Sequence, residues 1–225
     1  MKLLIFDIDG TLTDTNEVDT ECYTNAFQDE FGVELTSTDW STFQNVTDLG
    51  VFVELFARNF SKKPKLTELK NFQARFFDNL EENLLTRPER FAEIRGAKRF
   101  VDYCLNQVDF KIAFAIGGWS KSAKLKLTLA DISYSNLPLS TSDLLISRRE
   151  ILSDAIENSS NGVNFAEIVY FGDGVWDYHT TAQLGIRFIG VDATNDGKLK
   201  KLGATEVIED FSDLKNVVKL LNEPE

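Results

Sequence analysis

The strongest constraint on this chain is an arrangement that occurs twice: a short apolar run ending abruptly in an acidic, glycine-containing turn. Leu3-Leu4-Ile5-Phe6 leads directly into Asp7-Ile8-Asp9-Gly10-Thr11-Leu12, and the run from Glu167 to Phe171 leads into Gly172-Asp173-Gly174-Val175-Trp176-Asp177. A short apolar segment bounded by turn residues fits a strand buried on both faces of a sheet. Gly10 makes a sharp turn inexpensive behind the first strand. If the two strands end at one edge, four carboxylates (Asp7, Asp9, Asp173 and Asp177) meet in one crevice. Such a cluster repels itself unless a cation sits within it, and a hard, oxygen-only donor set suits Mg²⁺. One carboxylate of the first turn can attack an electrophilic centre while its neighbour protonates a leaving group.

Between the two turns the periodicity changes. From about Asn16 to Arg87 apolar residues recur mostly three or four apart, as in Val18, Cys22, Phe27 and Phe31, then Val51, Leu55, Phe56 and Phe60, then Leu69, Phe72, Phe76 and Leu80. This spacing predicts a block of helices without strands. After Pro88, helical patterns at 97–105, 120–130, 149–158, 178–184 and 214–221 alternate with strand-like runs at 111–116, 137–140, 167–171, 186–191 and 206–208. Alternation at these lengths predicts an α/β fold, a Rossmann-like three-layer core whose mostly parallel sheet is covered on both faces. Residues 1–14 and 88–225 are expected to form that core, and residues 15–87 a helical cap domain inserted above the carboxyl ends of the strands, where such sheets bind ligands.

Composition narrows the partners. With 225 residues the chain can bury a sizeable core, and 36 acidic against 24 basic residues give a net charge of −12, a field that repels polyanions. Nucleic acid is therefore not an expected partner, whereas a small anion can still bind beside a metal ion or a helix N-terminus. Cys22 and Cys104 lack metal-ligand spacing and read as structural thiols of a reducing compartment. Four apolar residues before Asp7 are too few for a signal peptide or a membrane span. The expectation is a cytoplasmic protein with no membrane partner, a monomer or weak homodimer.

With these residues in place, the sequence closely resembles the haloacid dehalogenase superfamily over nearly its whole length, in particular the capped small-molecule phosphatases of the phosphoglycolate phosphatase and β-phosphoglucomutase type, whose cap is the inserted C1 kind. Asp7-Ile8-Asp9-Gly10-Thr11 matches the first motif of that superfamily and Gly172-Asp173 through Asp177 its acidic fourth motif. The resemblance implies Asp7 as nucleophile, Asp9 as general acid and base, and Asp7, Asp9 and Asp173 as the groups organising Mg²⁺, Asp9 through its backbone carbonyl. It implies a supporting role for Asp177, and for Thr11 a hydroxyl that closes the first loop. Ser147-Arg148-Arg149-Glu150-Ile151 matches the third motif; Arg148 is the implied cation at the phosphoryl group, with Arg149 the neighbouring alternative. Thr47-Asp48-Leu49-Gly50 resembles the cap segment that lies over the substrate; these polar groups set specificity or simply cap the next helix. The implied substrate is a small phosphorylated metabolite.

The second motif departs from the pattern. Where related chains read Thr-Gly-Gly-Trp, this one reads Ile116-Gly117-Gly118-Trp119, so the hydroxyl that would bind phosphate is replaced by a side chain without a donor. The contact is then lost or supplied by the Gly117 N–H, water or another group. A phosphomutase would use the same two aspartates, and a weak phosphate-binding or regulatory protein is the reading that Ile116 supports. Dehalogenation needs no such metal cluster, and the Schiff-base chemistry of phosphonate hydrolysis requires a lysine absent from residues 16–31. His179, alone of its kind, reads as a surface or capping group, while Trp119 and Trp176 can shape the rim of a pocket or pack.

Overall fold

A computed structural model describes residues 1–160 and 162–223; Asn161, Pro224 and Glu225 of the predicted core segment lie outside the described residues. Among the described residues six strands form one sheet: β1 (Lys2–Phe6), β2 (Phe110–Ala115), β3 (Leu139–Ser140), β4 (Glu167–Gly172), β5 (Arg187–Val191) and β6 (Val207–Ile208). Every pairing is parallel and the order is β3-β2-β1-β4-β5-β6. The first three strands step outward in one direction, and the fourth returns to the other side of β1. The topological switch point therefore lies between β1 and β4, whose carboxyl ends carry the two acidic turns.

The helices are α1 (Asn16–Phe31), α2 (Asp48–Phe60), α3 (Leu66–Thr86), α4 (Ala97–Leu105), α5 (Ser120–Leu129), α6 (Arg148–Ser160), α7 (Val175–Leu184), α8 (Lys198–Lys201) and α9 (Leu214–Asn222). Alternation along β1 builds the layers. Leu4 and Phe6 join Phe114, Phe171 and the inner faces of α4, α5 and α9, whereas Leu3 and Ile5 join Ala113, Tyr170 and Ile151, Leu152 and Ala155 of α6. Phe6 and Phe171 stack with ring centroids 4.9 Å apart, fixing the two site-bearing strands side by side.

Helices α1 to α3 bury an aromatic cluster of their own that includes Phe27 and Phe52, and its Tyr23, Phe72 and Phe76 rings pack on Trp119 from the sheet side. The tryptophan beside the glycine pair is thus a fully buried anchor between the helical insertion and the sheet. Burial pushes the thiols of Cys22 and Cys104 up to about 12, in keeping with unreactive packing groups. Two elements differ from the sequence expectation. Helix α7 begins at Val175, three residues early, because Asp177 Oδ2 accepts from the Gly174 N–H at 3.0 Å and stabilises the first turn. The short α8 has no counterpart in the sequence expectation, its four residues being mostly lysine. Among the described residues no helix is long and apolar enough to cross a membrane.

Candidate active site

Asp7 is the first residue past β1, and its N–H donates to the Phe171 carbonyl at 2.9 Å, which holds the two acidic turns together. Gly10 then turns with φ of +74°; a Cβ there would lie 2.4 Å from Asp173 Oδ2 and 2.2 Å from Asn16 Nδ2, so only glycine allows the turns to close. Ligand oxygens of Asp7, Asp173 and Asp177 lie within 4.8 Å of one another, all three residues being buried. Burial pushes the carboxyls of Asp7 and Asp177 upward and that of Asp173 to about 6, and repulsion from neighbouring carboxylates adds to the rise at Asp7 and Asp173.

The cations are fewer than the carboxylates. Arg148, the first residue of α6, sends Nη1 to Asp7 Oδ2 at 3.4 Å and to Asp177 Oδ1 at 3.3 Å, while its Nε donates to the Val46 carbonyl at 2.7 Å. The Tyr170 hydroxyl donates to Asp177 Oδ1 at 3.2 Å. Asp173 Oδ2 accepts from Asn16 Nδ2 at 2.9 Å and faces Lys198 Nζ at 3.5 Å. Arg149, next to Arg148, points its side chain into solvent, and His179 is likewise exposed.

Asp9 turns away from the acidic trio. Its Oδ1 is held by the Lys126 ammonium at 2.7 Å and by the Thr15 hydroxyl, so Oδ2 is the oxygen not engaged by them. Lys126 rises from α5, has no exposed side-chain surface, and also pairs with Asp19 on α1. Burial pushes the Asp19 carboxyl up to about 6 although the ammonium opposes it.

Asp48, at the start of α2, docks on the glycine turn. Its N–H donates to the Gly117 carbonyl at 2.8 Å, its Oδ2 accepts from the Trp119 N–H at 3.2 Å, and its own carbonyl accepts from the Tyr23 hydroxyl at 2.8 Å. The Thr47 hydroxyl caps α2 through the Gly50 N–H at 3.0 Å and donates to the Ile146 carbonyl at 2.7 Å. The Gly118 carbonyl accepts from the Ser142 N–H at 3.0 Å. The turn is thus held through the glycine carbonyls, leaving the N–H groups of Gly117 and Gly118 without an acceptor among the described residues. Ile116 packs into the sheet cluster and also borders the cleft. The Thr11 hydroxyl is buried without a partner among the described residues.

These groups surround a cleft of about 290 Å³ between the insertion and the carboxyl edge of the sheet, bordered by Asp7, Asp9, Gly117, Gly118, Arg148 and Asp173 together with Asp19 and Asp48. Asp7 Oδ1 is buried there without a hydrogen-bond partner among the described residues. Six carboxylates (Asp7, Asp9, Asp19, Asp48, Asp173 and Asp177) gather around the cations Arg148, Lys126 and Lys198. An all-oxygen trio with a free, buried oxygen and uncompensated charge is a donor set that can hold a hard divalent cation.

Lys126, Asp19, Asn16, Tyr170 and Lys198 do not stand out in the sequence. A signal existed for two of them. Lys126 belongs to the stripe Ser122, Ala123, Lys126, Leu127 that α5 buries, and Asp19 precedes Cys22 and Tyr23 on the buried stripe of α1, so each helix carries a charge of opposite sign where an apolar residue is expected.

Comparison with known proteins follows the same geometry. The haloacid dehalogenase-like hydrolase family matches residues 4–191. No curated protein matches the chain. Among solved structures, a hydrolase from Pseudomonas syringae superposes with a TM-score of 0.76 at 19% identity, covering 99% of this chain and 100% of the other. A predicted phosphoglycolate phosphatase from Haemophilus somnus gives 0.67 at 18% identity, with 97% and 98% covered. A candidate β-phosphoglucomutase from Bacteroides vulgatus gives 0.72 at 17% identity, with 98% and 88% covered. Identities this low speak for the fold, while the family match runs through the first acidic turn, the glycine pair, the arginine helix and the second acidic turn over most of the chain. The protein belongs to the haloacid dehalogenase-like hydrolase family.

Proposed function

We propose that this protein is a Mg²⁺-dependent phosphomonoester hydrolase that acts on a small phosphorylated metabolite through an aspartyl-phosphate, with residues 15–87 as its cap domain and residues 1–14 and 88–225 as its core. The observation that carries the reading is Asp7 Oδ1, a buried carboxylate oxygen without a partner among the described residues, on the wall of the cleft beside Arg148 and the acidic trio. Asp7, Asp173 and Asp177 would hold the ion, with the Asp9 carbonyl as the ligand that the family resemblance adds. When bound, Mg²⁺ supplies positive charge to the phosphoryl oxygens.

The chain's own residues perform the steps. The Arg148 guanidinium and the N–H groups of Gly117 and Gly118, at the entrance to α5, orient the phosphoryl oxygens. Asp7 Oδ1 attacks phosphorus as the ester P–O bond breaks, and the protonated Asp9 carboxyl gives its proton to the departing alkoxide. Asp9 then takes a proton from water, whose oxygen attacks phosphorus and returns Asp7 as a carboxylate. Lys126 and Thr15, both on Asp9 Oδ1, leave Oδ2 for these transfers.

The test is phosphate release from a panel of phosphorylated metabolites with Mg²⁺, with EDTA and with Mg²⁺ restored. The expected result is turnover that EDTA abolishes and that Asp7→Asn lacks at saturating Mg²⁺. Sustained release from metal-free protein or from Asp7→Asn contradicts the mechanism. Phosphoryl transfer between substrate molecules without free phosphate would instead assign a phosphomutase.

A further inference from the structure

The cleft has two chemically different walls. Its basic groups are Arg148 and Lys198, both from the sheet side and both facing the acidic trio. The residues that the helical insertion places along the cleft include Asp19, Thr20, Tyr23, Thr38, Trp40 and Asp48, with no lysine or arginine among the described residues of the insertion that border it. Lys126 compensates Asp19 from beneath and is itself closed off from the cleft.

We propose that the cleft selects phosphate esters whose leaving group is an uncharged, hydroxyl-bearing alcohol and rejects those whose leaving group carries a carboxylate. The inference rests on the phosphomonoester reading above and adds the substrate class. With the phosphoryl group against Asp7 and Arg148, the rest of the ester lies against the insertion wall. A carboxylate there finds no cation on the insertion wall, and a desolvated anion without a counter-charge is strongly disfavoured. A hydroxyl both donates and accepts, which matches carboxyl and threonine oxygens. The polar tips of the two aromatics are already engaged, Trp40 Nε1 with Thr20 Oγ1 at 3.2 Å and Tyr23 with the Asp48 carbonyl. What they lend the cleft is ring surface, suited to the C–H faces of a carbon chain.

An amine-bearing leaving group is the other class that an acidic wall can take. It is disfavoured because Asp19 already has its ammonium partner, and because burial and the Asp19 charge hold the Asp48 carboxyl well above the usual carboxylate range. The wall is therefore polar with little unbalanced charge.

Three esters of similar size separate the classes: 2-hydroxyethyl phosphate, 2-phosphoglycolate and phosphoethanolamine. Binding to Asp7→Asn with Mg²⁺ is measured by calorimetry, and the ranking is repeated on the natural chain as competition against p-nitrophenyl phosphate turnover. The expected result is binding of 2-hydroxyethyl phosphate at least tenfold tighter than either charged ester. Equal or tighter binding of 2-phosphoglycolate, tightest binding of phosphoethanolamine, or no binding of any ester overturns the proposal. Thr38→Lys, on the exposed rim, should shrink the preference over 2-phosphoglycolate at least threefold, and an unchanged ratio counts against the wall as its origin. If no ester is hydrolysed while the binding ranking holds, the hydrolase reading fails and the selectivity stands. Brisk hydrolysis with 2-phosphoglycolate preferred leaves the hydrolase reading in place and overturns the selectivity.

Discussion

Lys126 Nζ lies 2.7 Å from Asp9 Oδ1, completely buried, and the same ammonium pairs with Asp19 on the inserted helix α1. One core lysine therefore ties the proposed acid and base to the helical insertion. Removing one partner of a buried charge network leaves the others uncompensated, which costs about 3–5 kcal/mol. Lys126→Met should lower stability by that order in chemical denaturation, and Lys126→Met/Asp19→Asn should recover part of the loss because one orphaned carboxylate is gone. A double-mutant cycle with no coupling between the two positions would show that the contact is energetically idle.

The metal-free protein should lose stability as pH rises from about 4 to about 7 through Asp173. The ordinary carboxyl releases its proton near 3.8 and the folded Asp173 near 6, because burial outweighs Lys198. Between those values the native state binds more protons than the unfolded state, so stability falls with rising pH. The whole shift corresponds to about 3 kcal/mol. Mg²⁺ favours the ionised carboxylate, so the rise in Tm on adding Mg²⁺ should grow over the same window. Thermal melts of the natural chain and Asp173→Asn at pH 5 and pH 7.5 check this. A Mg²⁺ increment that is independent of pH, or unaltered in Asp173→Asn, contradicts it.

Gly117→Ala should impair catalysis while sparing the fold. A Cβ at Gly117 would lie 2.5 Å from Arg148 Nη2 and 2.6 Å from its Cζ and Nε, so the movable guanidinium is what gives way. Displacing a positioned donor costs on the order of 10²-fold in kcat. The expected outcome is a kcat/KM loss of roughly that size with the fold retained and a lowered Tm, because the Arg148 contacts to Val46, Asp7 and Asp177 loosen, measured by steady-state kinetics beside a melting curve. Full activity would mean that Arg148 does not act from its observed position.

The sheet and the approach of its two acidic turns were legible because they depend on local patterns: apolar runs, their abrupt acidic endings, and Phe-rich helical spacing between residues 16 and 87. That the Asp9 side chain turns to Lys126 and leaves Asp7, Asp173 and Asp177 as the trio was not legible. The two arginines were separated by the structure alone, since Arg148 opens α6 against Val46 and the acidic trio while Arg149 faces solvent, a difference of helix phase set by the preceding loop. Lys126, Asp19 and Asn16 were harder to read for another reason, although Lys126 and Asp19 each place a charge on the buried stripe of a helix. Their partners lie far away along the chain, and a charged residue in a helix reads by default as solvated. The position of Ile116 was visible as a missing hydroxyl, but its surroundings were not.

Those surroundings decide the last prediction. Ile116 is 1% exposed, packs in the same cluster as Leu12 and Phe114, and donates its N–H to the Ser140 carbonyl at 3.0 Å, so its backbone is fixed at the glycine turn. Ile116→Thr replaces buried apolar surface with a hydroxyl and should cost about 1–3 kcal/mol of stability. It also adds a donor on the cleft wall where negative charge develops in the transition state. If the missing hydroxyl limits turnover, kcat/KM for a phosphomonoester should rise about tenfold, which corresponds to roughly 1.4 kcal/mol, while the Mg²⁺ requirement stays the same. Steady-state kinetics paired with a metal-loaded structure of both forms provides the check. A threonine hydroxyl within hydrogen-bond distance of phosphate, together with an unchanged or lower kcat/KM, would mean that the unpartnered N–H groups of Gly117 and Gly118 already perform this task. The isoleucine would then be a packing choice with no catalytic cost.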